Sequence, residues 1–279
     1  MLYPPEGIEL EGIHYKYLVV FTPNPYHNAT YLAARPFAVL AFLWFVKLLP
    51  ICDGEGRDIR FGDYVLFSIF LLLSTMTKPS FTLVMVSTAG LIMVYRIFRA
   101  AFRNFISVVK LGLCFVPTFI ELLRQFAIVY GSKKDGLCFG IGDVWSEYCD
   151  NIPLAIFLAI AFPLLVLACN LKECRRNSLF RFSWQLYVVA ASEAFLLYEG
   201  GDKKFHFNFG WGYMYGIFFC LVGAVLVLSR STLQKISEGN WRKYLPGCFL
   251  LTLQWGLYLC HVICGILYFK EIYEGKLYF

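Results

Sequence analysis

Charge is scarce in this chain. Only 16% of its 279 residues are Asp, Glu, Lys or Arg, and histidine occurs four times. Soluble domains carry about 25% charged residues, and 59% of this chain is hydrophobic, so an ordinary soluble domain is excluded. Zinc-type Cys/His spacing is missing. Internal repeats and low-complexity tracts are missing too, which excludes a repeat array. The net charge of +6 is spread over short connections rather than gathered in a basic block, and no nucleic-acid partner is expected. Residues 1–30 have no positive stretch followed by an apolar one, so no secretory signal peptide is expected there. Cysteine is not lacking, with ten residues. Six of them (Cys114, Cys169, Cys220, Cys248, Cys260 and Cys264) lie in or at the ends of apolar runs and read as small packing residues. Cys138 and Cys149 share one loop and pair only if that side is oxidising.

Apolar runs fill the space that charge leaves. Several reach the roughly 17–25 residues that cross a bilayer. The expected fold is all-α, a single polytopic transmembrane helix bundle of about eight spans. They are placed at 34–51, 62–77, 79–95, 105–123, 152–170, 180–198, 211–229 and 245–269. Residues 1–33 form an amphipathic approach and 270–279 a tail. Between the second and third spans only Thr77-Lys78-Pro79-Ser80 remains. Pro79 favours an extended residue before it, so a tight reversal is expected rather than one long helix.

Lys and Arg set the orientation. Connections 52–63, 96–104, 171–181 and 230–244 hold 13 of them in 47 residues, against 9 in 85 for the alternate set. The denser set belongs in the cytoplasm. The protein is expected to be multi-pass in the cell membrane, in contact with membrane lipid. The loop around Glu199 and the C-terminus are then external. So is the N-terminus, which implies either an unusual insertion or an upstream part with an odd number of spans.

The chemically dense connections all fall on the external side. From Glu193 to Tyr215 the chain sets Glu199, Asp202, Lys203, Lys204, His206, Asn208 and Trp211 between two apolar runs, on a Gly200-Gly201 hinge. A bare turn needs few of these groups. Glu199, Asp202 and His206 are the candidate acid–base residues, and a divalent metal on Glu199 or Asp202 is compatible with them. Lys203, Lys204 and the helix-break Lys78 suit a phosphate, because exposed helix amides favour anions. His27 and Arg35 read equally as phosphate or sugar contacts or as head-group boundary residues. Trp145 and Glu147 read equally as a sugar-binding rim or as an interfacial belt. Asn28-Ala29-Thr30 matches a glycosylation sequon, a pattern common by chance. Glu193 lies inside its span and should face the bundle interior, near the polar stripe Gln254, Tyr258, His261 and Gly265.

The Lys-Pro-Ser-Phe break, the entry NPYHNATYLAARPF and the E-x-G…H-x-N-F-x-W-G turn together resemble a known class. They are similar to polytopic bacterial envelope proteins of the type-C glycosyltransferase and polysaccharide polymerase kind, over residues 24–229. The resemblance implies a lipid-linked sugar donor, presented from the bilayer to an acidic residue of an external loop. Phe207 departs from the pattern, which has glycine before the Asn. The implied function is glycosyl transfer or polymerisation with polyprenyl-phosphate-linked sugars in envelope polysaccharide synthesis. The alternatives are a transporter or flippase for lipid-linked sugars, and a non-catalytic membrane scaffold. Protein partners are not readable.

Overall fold

In a computed structural model the described residues are 8–10, 13–15, 28–54, 59–130, 136–148, 151–201, 204, 208–237 and 245–274. They are almost entirely helical. The helices are α1 (Ala29–Leu48), α2 (Phe61–Thr77), α3 (Ser80–Arg99), α4 (Phe105–Leu113), α5 (Val116–Tyr130), α6 (Trp145–Tyr148), α7 (Ile152–Cys169), α8 (Leu171–Arg176), α9 (Ser178–Leu196), α10 (Gly210–Ser237) and α11 (Leu245–Tyr273). A 3-10 segment, Leu49–Asp53, prolongs α1. The short strands β1 (Ile8–Leu10) and β2 (Ile13–Tyr15) pair antiparallel, as do β3 (Leu137–Phe139) and β4 (Leu197–Glu199).

Helices form at all eight expected positions, but fewer are long and apolar enough to cross a membrane. Five qualify: Ala29–Asp53, Ser80–Arg99, Ile152–Cys169, Gly210–Ser237 and Phe249–Leu267. A sixth qualifies if α4 and the following Val116–Ile128, bent by 47°, count as one span. By length and apolar composition, five or six of the eight expected spans are shown. The 17 residues of α2 extend about 26 Å at 1.5 Å per residue, short of the roughly 30 Å hydrocarbon core. Arg181, Gln185, Ser192 and Glu193 make α9 less apolar than the other five.

Local signals start these helices. Asn28 is the N-cap of α1: its Oδ1 accepts from the Tyr31 amide at 3.0 Å and from the Thr30 hydroxyl at 2.7 Å. The sequon is thus also a capping sequence. Asn151 caps α7 in the same way, accepting from the Leu154 amide at 3.0 Å.

The chain groups into two compact units, Pro25–Gly140 with Val188–Tyr215, and Met1–Asn24 with Ile141–Tyr187 and Gly216–Phe279. In the first, the amino-terminal unit, side chains fix the helix directions. Lys47 near the end of α1 pairs with Asp63 near the start of α2 at 2.6 Å. The Thr75 and Thr82 hydroxyls join the end of α2 to the start of α3 at 2.8 Å. Gln125 of α5 donates to the Thr75 carbonyl at 3.0 Å. The unit thus has two chemically different ends. At the Arg96 end, Arg96 donates to Asp53 at 2.6 Å and to the Leu49 carbonyl at 2.7 Å. Asn104 donates to the Cys52 carbonyl at 2.6 Å. The opposite end carries the Lys78 reversal.

In the second, carboxy-terminal unit, Phe162, Val166, Cys174, Phe180, Ala224, Val227, Leu228 and Leu251 form one buried cluster. Gln254 and His261 are buried, and Gln254 accepts from the Asn170 amide at 2.7 Å. Interhelical hydrogen bonding is an ordinary use for such a stripe in a membrane bundle.

The end of α3 follows a known stop with an unusual residue in it. The Phe102 amide donates to the Ile97 carbonyl and the Ala101 amide to the Phe98 carbonyl, each at 3.0 Å. This is the Schellman pattern, whose left-handed position is usually glycine. Here Ala101 occupies it at φ 46°. Ala101→Gly is expected to raise stability by about 1 kcal/mol, since a Cβ is unfavourable in that conformation. A melting temperature at or below that of the wild type would show that Ala101 is not strained.

Candidate functional site

At the Lys78 end the reversal is made without a loop. Lys78 is extended (φ −159°, ψ 123°) as Pro79 requires, and its amide still donates to the Ser74 carbonyl at 2.8 Å. The side chain comes to rest on the Trp211 indole, with Nζ 4.7 Å from the ring centroid. A cation over an indole face is attracted by the ring quadrupole, and more strongly when desolvated. Burial holds the Lys78 ammonium below the usual lysine pKa.

Trp211 lies 5.2 Å from the Tyr31 ring, and Tyr31 lies 4.7 Å from Tyr215. Phe81 closes the group at 5.3 Å from Tyr215. The Tyr215 hydroxyl donates to the Tyr31 carbonyl at 3.2 Å. On the Tyr31 ring rests a second cation, the Arg35 guanidinium, at 5.5 Å. Four packed rings from α1, α3 and α10 thus form a floor that carries two cations. Tyr31, Phe81 and Tyr215 are fully buried and Trp211 is 5% exposed. The rings therefore position the cations and offer little free face to a sugar.

A glycine makes this packing possible. A Cβ on Gly212 would lie 2.6 Å from Val84 Cγ2 and 3.2 Å from the Ser80 carbonyl oxygen. Only a residue without a side chain lets α10 come this close to α3, and that approach delivers Trp211 to Lys78.

Three residues before Trp211, Asn208 donates to Glu199 Oε2 at 2.7 Å. Glu199 ends β4 and is paired in register with Leu137, so its backbone is anchored. Lys204 lies over the Tyr198 ring at 5.1 Å. Glu193 is half-buried on α9, with the Ser87 side chain of α3 as its hydrogen-bonding neighbour. The Gln254–His261 stripe expected near it belongs to the carboxy-terminal unit, where Gln254 takes Asn170.

Arg35, Lys78 and Trp211, far apart in sequence, are thus brought together, with Glu199, Lys204 and Asn208 on the adjoining segment. Trp145 and Glu147 belong to α6 of the carboxy-terminal unit, and the Trp145 ring is fully buried. His27, Asp202, Lys203 and His206 lie outside the described residues, as does Cys149. Among the described residues no three His, Cys, Asp or Glu side chains converge as a metal site would require. Sequence reasoning missed Tyr31, Phe81, Tyr198 and Tyr215. The signal was present: Tyr31 and Arg35, and Trp211 and Tyr215, are each spaced i, i+4 on one helix face.

Gly212→Ala is expected to destabilise the protein by about 1–3 kcal/mol through overpacking, and to loosen Trp211 from Lys78. Thermal unfolding together with Trp211 fluorescence checks this. Wild-type stability and an unchanged spectrum would remove the close approach from the argument. Compared with protein-family models, with curated proteins and with solved structures, the chain matches none.

Proposed function

We propose that this protein transfers or polymerises sugars carried on polyprenyl phosphate, in the synthesis of cell-envelope polysaccharide. The observation that carries the reading is the pair of cations, Lys78 and Arg35, held on a buried aromatic floor. A solvated turn has no need to desolvate an ammonium. A site for a departing phosphate does, because preorganised charge in a water-poor setting stabilises developing negative charge.

In this reading Glu199 takes the proton of the acceptor hydroxyl, whose oxygen then bonds to the sugar's anomeric carbon. The bond from that carbon to the phosphate oxygen breaks, and the electron pair leaves with the phosphate toward Lys78 and Arg35. Asn208 orients the carboxylate. Asp202, His206, Lys203 and Lys204 belong to the same loop, and His27 precedes Arg35 on the same side. The chain crosses the membrane eight times, with α2 and α9 as the short and the polar crossing. The Lys78 end and the C-terminus face outward, and Arg96–Arg103 faces the cytoplasm. The half-buried Glu193 beside Ser87 favours a second reading, movement of the lipid-linked sugar across the bilayer, since an ionisable group inside a membrane bundle often marks a path.

The test uses the full chain in vesicles with a polyprenyl-diphosphate sugar. Glu199→Gln is expected to lower transfer by about 10²–10⁴ while the protein stays folded. Unchanged transfer would remove Glu199 from the chemistry. If Glu193→Gln abolishes transbilayer movement of the labelled donor and Glu199→Gln alters nothing, transport replaces transfer.

Donor binding should also depend on pH. A lysine whose pKa is depressed loses its charge, and with it the phosphate, at a lower pH than an ordinary lysine. Wild-type donor retention is expected to fall as pH rises through a window below about 10.4, the ordinary lysine value. Lys78→Arg stays charged throughout and should hold the donor to higher pH. Identical pH profiles for the two proteins would show that Lys78 does not meet the phosphate.

A further inference from the structure

The turn joining α3 to α4 is the other concentration of unusual chemistry, and it lies at the end opposite Lys78. Among the described residues Ala101 (φ 46°) and Phe102 (φ 65°) are the non-glycine residues with left-handed backbone. They are consecutive. Such conformations in bulky residues persist where the surroundings enforce them, and they cluster at functional sites. The enforcement is visible here. Asn104 donates to the Cys52 carbonyl at 2.6 Å and to the Arg96 carbonyl at 3.1 Å, and Arg96 is tied to Asp53 and Leu49.

This fastening holds up an exposed surface. The Phe102 ring packs edge-on against Phe98, with centroids 5.5 Å apart, yet both rings stay largely in the open. Phe105 and Ile106 beside them are exposed as well. On the same turn Arg99 and Arg103 are exposed. Arg103 Nε donates to the Ala100 carbonyl at 3.2 Å, and among the described residues neither guanidinium meets a carboxylate. The contrast is internal, since Arg96 and Lys47 at the same end are both ion-paired.

The level of this turn follows from helix length. The 20 residues of α3 rise about 30 Å, the thickness of the hydrocarbon core. The turn therefore lies at the head-group boundary. Its exposed rings continue the exposed apolar faces of α3 (Leu91, Val94, Tyr95) and α4 (Val109, Leu113). A surface of this kind fits a lipid that is apolar along its length and negative at its head.

We propose that the turn from Phe98 to Ile106 is a binding site for an anionic membrane lipid. Arg99 and Arg103 hold the head-group phosphate, and Phe102, Phe105 and Ile106 lie along the start of the acyl chains. Basic residues near a bilayer attract anionic lipid in general. That rule asks only for charge. It gives no reason to hold a phenylalanine in left-handed backbone between two arginines, where glycine would be unstrained. The site is independent of the reading given for the Lys78 end.

The test is native mass spectrometry of the full chain in detergent, titrated with phosphatidylglycerol, phosphatidylcholine or inorganic phosphate. Phosphatidylglycerol is expected to be retained in preference to phosphatidylcholine. The Arg99→Gln/Arg103→Gln double variant should lose about tenfold or more of that preference. Arg175→Gln/Arg176→Gln, which removes the same charge from exposed α8 residues, should keep it. Phe102→Gly should weaken retention while the melting temperature holds or rises, since the strain is relieved as the ring is lost. That opposite movement separates a binding role from a structural one. Equal losses in the two double variants would overturn the proposal in favour of unspecific attraction. Unchanged retention in Phe102→Gly, or full competition by inorganic phosphate, would overturn it as well.

Discussion

Inside a bilayer every backbone amide and carbonyl must find a partner within the protein. The amino-terminal unit meets that constraint at its sharpest where α2 gives way to α3. Lys78 keeps one helical hydrogen bond to Ser74, and the Leu83 amide reaches the Pro79 carbonyl at 3.0 Å. The Thr75 hydroxyl donates to the Leu71 carbonyl at 2.7 Å and meets the Thr82 hydroxyl at 2.8 Å. Nothing is left for a loop. With no loop to swing out on, the lysine must lie back on whatever packs over the break, and the glycine at 212 lets an indole occupy that place. The geometry of the whole end descends from a reversal made in two residues.

The opposite end solves the same problem with ions instead of rings. Among the described residues each buried or half-buried charge there is answered by another across a helix junction, Asp63 by Lys47 and Arg96 by Asp53. The Lys78 end instead seats two cations on aromatic rings, and a ring quadrupole leaves a cation its charge.

The helical, membrane-embedded class and the helix positions were legible because apolar run length is a direct reading of bilayer thickness. The break at Lys78-Pro79 was legible because proline restricts its predecessor. The count of crossings was less so: α2 and α9 are helices, but one is short and the other carries Arg181 and Glu193. Asn28 illustrates another limit. The same three letters encode a glycosylation sequon and an N-cap, and only the bond to the Tyr31 amide separates the uses. The partnership of Arg35, Lys78 and Trp211 could not be read, because Arg35 and Lys78 each lie more than a hundred positions from Trp211 and meet it through packing, not periodicity. Ala101 stayed invisible for a related reason, since a left-handed residue announces itself in sequence only when it is glycine.

The ion pair between Lys47 and Asp63 bears on how this unit enters a membrane at all. Taken alone, α2 offers a translocon about 26 Å of helix with a carboxylate three residues from its start, an awkward guest. Taken with α1 it is half of a hairpin whose corner is already neutralised. The smallest piece that carries α2 into a lipid phase is therefore two helices long, with α1, apolar enough to cross alone, as the member that enters first.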